Sequence, residues 1–281
     1  MQGLLRRPLQ GELGYNELPV GWRFLPFTLK TISAILQEAA TRRILPPMEN
    51  HPKHILAIET ATPVCSASLL AAGADIISRR TEGSGRHAEK LLPFINELFN
   101  ESGIAATDLG AVAVSAGPGS FTGLRVASST VKGLLYGRDI PVISCNTLAG
   151  IAWGASVISA DARRINTVLD ARRHHLYYQS FRTDGELPQP EREMKITDLD
   201  EFPNLINGGE VMAGTGIERL PDLVKKSAEI IGYDAISAEN LIRMAEKWIA
   251  TGAEDNPVIS WSDAAIFQPD YYSQGPPKPA S

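Results

Sequence analysis

The stretch that most constrains this chain runs from residue 111 to 137, where an apolar strand, a glycine turn and a helix follow one another. Residues 111–115 (AVAVS) are apolar and partly β-branched, long enough for one buried strand. Gly117-Pro118-Gly119-Ser120-Phe121-Thr122-Gly123 comes next. Apolar residues then recur at Leu124, Ala127, Val131, Leu134 and Leu135. Steps of three and four place them on one helical stripe, and Gly137 stands where a helix-ending glycine belongs. Glycines between a strand end and a helix start let backbone N–H groups converge on an anion, helped by the positive end of the helix dipole. The same glycines equally make a plain tight turn, and both readings stand on the pattern alone. No Lys-Ser or Lys-Thr closes the stretch, so it is not a Walker A loop.

The rest of the chain sets bounds on what such a unit can serve. At 281 residues it forms one large domain or two of ordinary size. Its 43% hydrophobic and 21% charged residues are those of a soluble globular protein with a sizeable core. A formal charge of −5 argues against an autonomous nucleic-acid binder, which would carry a basic face. Cys65 and Cys145 form no CxxC and no disulfide framework, which suits a reducing cytosol. No apolar run approaches the roughly 18 residues that span a bilayer. A cytoplasmic protein is expected.

Residues 1–47 differ in character from the rest of the chain. They hold six basic residues against three acidic ones and one amphipathic candidate helix over 27–44, striped by Leu29, Ile32, Ile35, Leu36 and Ala39. Because Met48 stands just before the first clear strand, this segment reads as a dispensable extension. Residues 54–60 (HILAIET), 65–70 and 76–80 read as three strands of an antiparallel meander. A helix follows from His87 to Ser102 with Leu91, Leu92, Ile95, Leu98 and Phe99 on one side, and Pro93 is expected to bend it. The central unit comes next, and then a strand over 141–144. Three strands, helix, strand, helix, strand make a mixed sheet with helices packed on it. The second half repeats this loosely, with strands over 165–170, 176–182 and 211–213 and a glycine turn at Gly214-Thr215-Gly216. Its last helix runs from a Ser237 cap to Gly252. Residues 261–281, ending in Gly275-Pro276-Pro277-Lys278-Pro279, are expected to be a flexible tail.

Candidate chemistry is sparse. His51 and His54 flank a proline, His174 and His175 are adjacent and so face opposite sides of a strand, and His87 stands alone. No cysteine or carboxylate pair completes a set with them, and no metal is expected. Ser115 and Ser120 lie near the central turn, but no His-Asp pair is placed to activate either. Ser120 reads as a helix cap. Thr60 and Thr62 offer hydroxyls at a strand end, and Arg125 lies in the first helical turn beside any anion the loop holds. Asp170-Ala171-Arg172 places an acid and a base at another strand end, as a site or as a structural ion pair. The candidate nucleotide or phosphate set is therefore Thr60, Thr62, Gly117, Gly119, Ser120, Thr122, Gly123, Gly214, Thr215 and Gly216, and no catalytic residue is assigned.

The series ILAIETAT, HAEKLLP, SAGPGSFTGLRV, LDARRHHLYY and AGTG resembles the bacterial TsaB (YeaZ) family of tRNA threonylcarbamoyladenosine biosynthesis proteins over about residues 53–241. GPGSFTGLR is its most specific part. The resemblance implies an α/β fold of the actin/Hsp70/sugar-kinase type (ribonuclease H-like), with two lobes of mixed sheet flanked by helices, here 48–155 and 156–260. It implies a non-catalytic subunit that pairs with the paralogous catalytic subunit TsaD and, with the ATPase TsaE, keeps it active. That complex adds threonylcarbamoyl to the adenosine beside the anticodon of ANN-reading tRNAs. The catalytic paralogue holds its metal through an HxxxH pair. Here His87-Ala88-Glu89-Lys90-Leu91 lacks the second histidine, against a metallopeptidase. The helices starting near His87 and at Phe121 would form the face towards the partner, with His87, Leu91, Ile95, Phe121, Arg125 and Ser128 as candidates. No cofactor is required of this chain, and ATP or ADP would belong to the subunit complex. Contact with tRNA would come mainly through the partner, with a homodimer possible for the chain alone. The rival reading is an autonomous nucleotide-dependent phosphotransferase of the same fold, which would need acids to hold Mg²⁺.

Overall fold

A computed structural model describes residues 52–272 except 84, 207, 208, 254 and 255. The expected helix over 27–44, the N-terminal extension and the proline-rich end lie outside the described residues. Strand β1 (Ile55–Glu59) pairs antiparallel with β2 (Val64–Leu70), and β2 with β3 (Ile77–Glu82). Helix α1 (His87–Ser102) then leads to β4 (Ala111–Gly117), which lies parallel to β1. Helix α2 (Phe121–Leu134) leads to β5 (Val142–Asn146), parallel to β4. The strand order is β3-β2-β1-β4-β5. Strand β1 is apolar throughout because both its faces are covered: Ile55 and Ala57 point into one core, Leu56 and Ile58 into another under α1 and α2.

Helix α3 (Thr147–Ile158) opens the second half, followed by β6 (Arg164–Asp170), β7 (His175–Arg182), β8 (Gln189–Pro190), β9 (Lys195–Asp198) and β10 (Val211–Ala213). Short helix α4 (Asp222–Lys226), β11 (Glu229–Ile231), helix α5 (Ala238–Thr251) and β12 (Ile259–Ser262) complete it. Strand β6 is antiparallel to β7 and parallel to β10, and β10 is parallel to β11. These are the relations of β1 to β2, β4 and β5, so the second sheet repeats the first in shortened form. The expected fold class of two mixed sheets with flanking helices is the one observed.

Strands β8, β9 and β11 and the short helix α4 are absent from the sequence reading, and two larger features escaped it as well. Helix α3 is buried on nearly every side between the two sheets, so it lacks the polar stripe that marks an amphipathic helix. Its Gly154 lies where a methyl group would collide with the Ala235 carbonyl and the Asn240 amide, which lets α3 and α5 approach closely. The second feature is β12, which pairs antiparallel with β5 in the first sheet although residues to 260 read as second-lobe and those beyond as flexible tail. Trp261 stacks on Trp248 at 5.2 Å between ring centroids, and Ala264 and Phe267 are buried in the first-lobe core. Four strand residues and scattered apolar anchors give no period to read.

Candidate functional site

The first loop and the glycine turn meet at the C-terminal ends of β1 and β4, and a buried carboxylate holds them. Glu59 ends β1 and is 3% exposed. Its carboxylate accepts hydrogen bonds from the Ser115 hydroxyl, from the Thr62 N–H at 3.2 Å and from the Thr62 hydroxyl at 3.3 Å. Burial pushes Glu59 up to about 6 despite these donors, which favour the ionised form. His87 Nε2 donates to the Thr62 carbonyl at 2.8 Å, so α1 fastens the same loop from the other side. Burial and the Glu59 charge also push the Cys65 thiol up, to about 11, which leaves it inert at neutral pH.

The glycines of 117–123 serve close backbone approach. At Gly123 a side chain would collide with the Thr60 carbonyl, and at Gly119 with that of Ala61. The Thr60 hydroxyl donates to the Gly123 carbonyl at 2.8 Å, and the Ser120 N–H donates to the Ala61 carbonyl at 2.6 Å. Ser120 caps α2 by accepting the Gly123 N–H at 3.3 Å, as its position in the turn suggests. The Gly117 N–H is taken by the Thr147 hydroxyl at 3.2 Å. Asp270 closes over the turn, its N–H donating to the Ala116 carbonyl at 2.6 Å and its backbone resting where Gly117, at φ 130°, lacks a side chain. The Ser120, Gly117 and Gly123 amides that would otherwise face an anion are thus bonded within the chain.

The second set of candidates lies on the other sheet. Gly214, at φ 109°, packs under the Val168 carbonyl, and its N–H bonds the Ile231 carbonyl at 3.0 Å. Thr215 is buried and Gly216 packs on Val168 and Leu169. Asp170 pairs with Arg219 and accepts the Arg172 N–H at 2.8 Å; the Arg172 guanidinium is not its partner. Among the described residues no three His, Cys, Asp or Glu side chains gather to hold a metal ion, and no helix is long and apolar enough to cross a membrane.

A groove of about 390 Å³ runs between α1 and α2 on the outer side of the first lobe. Leu92 and Phe121 line it at 53% and 58% exposure, beside Thr122, Val126 and Ser129. The Arg125 guanidinium lies 5.5 Å from the Phe121 ring centroid, and the Tyr271 ring packs against Phe121 in a tilted arrangement with centroids 5.0 Å apart. Of the residues expected on a partner face, Phe121 and Arg125 are exposed here. His87, Ile95 and Ser128 are buried, and Leu91 is a buried floor of the groove. The reason is helical geometry: Leu91, Ile95 and Leu98 turn to the sheet, and the exposed position is one step along, at Leu92.

Sequence reasoning missed Glu59, Ser115's role towards it, and Asp270. A single acid closing the apolar run ILAIE was the available signal for Glu59. Nothing local marks Asp270, because its partner is more than 150 positions away.

Comparison with known proteins gives consistent matches. Residues 80–234 match the model of the family "TsaD: tRNA N6-adenosine threonylcarbamoyltransferase". The chain is 32% identical over 208 residues to the tRNA threonylcarbamoyladenosine biosynthesis protein TsaB of Escherichia coli K12, covering 70% of this chain and 88% of that one. It is 29% identical over 151 residues to TsaB of Bacillus subtilis 168, covering 53% and 65%. Among solved structures, YeaZ from Pseudomonas aeruginosa superposes with a TM-score of 0.66 at 27% identity, covering 78% of this chain and all of that one.

Proposed function

Because the chain belongs to the TsaB family of tRNA threonylcarbamoyladenosine biosynthesis proteins, we propose that it is the accessory subunit of a complex making that nucleoside in tRNA. It binds a TsaD-like catalytic subunit through the α1–α2 face and supports that subunit's activity without catalysing the transfer itself. The observation that carries this reading is the open apolar groove, with Leu92 and Phe121 half or more exposed beside Arg125. An exposed aromatic ring next to an arginine is a combination of residue types enriched at protein interfaces. The glycine turn supports a non-catalytic role: a phosphotransferase would need its N–H groups for phosphate, and Ala61, Thr147 and Ser120 take three of them. The chain requires no cofactor of its own, and ATP or ADP belongs to the assembled complex, in which a TsaE-like ATPase takes part. It acts in the cytoplasm.

The test is reconstitution. The TsaD-like and TsaE-like proteins and the remaining protein of the pathway, all from one organism, are incubated with an ANN-reading tRNA with and without this chain. Mass spectrometry of the digested tRNA then measures modified adenosine. Product only in its presence, and none from this chain alone, supports the proposal. Product undiminished by its omission overturns it. ATP turnover by the isolated chain, lost on Arg125→Ala or Asp170→Ala, would favour the autonomous phosphotransferase.

A further inference from the structure

We propose that the tip of the β6–β7 hairpin is a contact point for RNA phosphates, with Arg172 and Arg173 as the contacting cations; this rests on the tRNA-modifying role just argued. Arg172 sits at φ 70° and Arg173 at φ 54°, the left-handed region that glycine and asparagine occupy at least cost. Two large side chains stand instead at consecutive positions where the backbone disfavours them. Such strain persists only where the surroundings hold it, and it gathers at functional sites.

The surroundings do hold it. The Arg172 N–H donates to the Asp170 carboxylate at 2.8 Å, the Ala171 N–H to the His175 carbonyl at 3.1 Å, and the His175 N–H to the Arg172 carbonyl at 3.1 Å. Arg219 pairs with Asp170 and donates to the Arg173 carbonyl, bracing the loop from the second glycine turn. The Leu199 N–H donates to the His174 carbonyl at 2.9 Å, bracing it from the end of β9.

The two guanidinium groups take no part in this framework. Among the described residues neither has a partner, and both are exposed together with His174. Of the nearby acids, Asp170 is paired with the Arg219 guanidinium and Asp198 lies 3.1 Å from His175, while Glu218, hydrogen-bonded to Tyr233, keeps its charge. Asp200, next to Leu199, is a further exposed carboxylate. Two unpaired planar forks on a braced turn suit phosphate oxygens, which accept bidentate pairs. No apolar anchor accompanies them at 172–174, so the tip suits a phosphate backbone better than an acidic protein face.

The experiment compares the full chain with its Arg172→Asn/Arg173→Asn form, each in complex with the TsaD-like subunit. Binding of a fluorescently labelled ANN-reading tRNA transcript is titrated at several salt concentrations. Asparagine tolerates the left-handed region, so the variant's Tm is expected at or above that of the parent. The expected result is a loss of affinity of several-fold. The slope of log K against log salt should shrink by about 1.5 to 2, the share of two phosphate contacts. An unchanged slope overturns the proposal, as does a lower Tm with tRNA binding intact, which would make the arginines structural. Weaker association with the TsaD-like subunit, with tRNA affinity unchanged, would assign the tip to a protein face and overturn it. So would loss of ATP binding in place of tRNA binding. A parent complex that neither retains tRNA nor modifies it overturns the family reading and this inference together. A parent that does both, with a variant that matches it, overturns this inference alone.

Discussion

Glutamine in place of Glu59 isolates the energetic effect of one buried carboxyl. The group is fully enclosed, and burial raises it from 4.5 to about 6. A folded-state pKa above the unfolded one means that the native protein binds the proton more tightly. The stability this contributes is complete below pH 4.5 and is lost as pH rises through 6. A shift of about 1.5 units corresponds to roughly 2 kcal/mol. Glutamine cannot ionise, so Glu59→Gln removes this slope. It also changes the hydrogen bonds to Ser115 and Thr62, but that offset is the same at every pH. The measurement is denaturant unfolding of parent and variant between pH 4 and 7. The stability of the variant relative to the parent should rise by about 2 kcal/mol across that range, most of it between 4.5 and 6. A difference that stays flat, or falls with pH, would refute the argument that burial outweighs the hydrogen-bond donors around the carboxylate.

Other consequences are open to simple measurement. Gly123→Ala forces a methyl group against the Thr60 carbonyl, and thermal denaturation should show a loss of about 1–3 kcal/mol, whereas the open Gly133 on the same helix should accept alanine with no loss. Trp248→Ala empties the core between the sheets, and chemical denaturation should register about 3–5 kcal/mol. Leu92→Glu with Phe121→Glu places charges in the α1–α2 groove. Its stability should stay within about 1 kcal/mol of the parent while co-elution with the TsaD-like subunit on gel filtration is lost. Retained co-elution would mean that the partner binds elsewhere.

The first lobe was legible because its elements carry local signals. ILAIE is a continuous apolar strand, the stripe from Leu124 to Leu135 has helical spacing, and Ser120 sits where a cap belongs. Helix α3 and strand β12 were not legible, since a helix enclosed on nearly every side has no polar stripe and an edge strand of four residues has no period. The site divides the same way. The glycines were visible, but what they were for was not. A sequence shows that Gly119 and Gly123 can approach something closely, and only the fold shows that it is the carbonyls of Thr60 and Ala61.

That ambiguity has a physical root, and the repeated topology makes it plain. In both lobes a glycine with positive φ stands at the end of the central parallel strand: Gly117 as the last residue of β4, Gly214 just after β10. Glycines of both turns meet carbonyls from the lobe's own first strand or its end, Thr60 and Ala61 beyond β1 for Gly123 and Gly119, Val168 on β6 for Gly214. Parallel strands that end side by side bring their following loops into contact, and a side chain at the crossing would hold them apart. The glycines are therefore demanded by the sheet, whether or not an anion binds, and glycine alone cannot report on a ligand. What distinguishes the cases is where the neighbouring N–H groups go. At Ser120 and Gly117 they go to Ala61 and Thr147, and at Gly214 to Ile231. A turn whose amides are already bonded inward is a joint between strands, in keeping with the role proposed above for the outer helices.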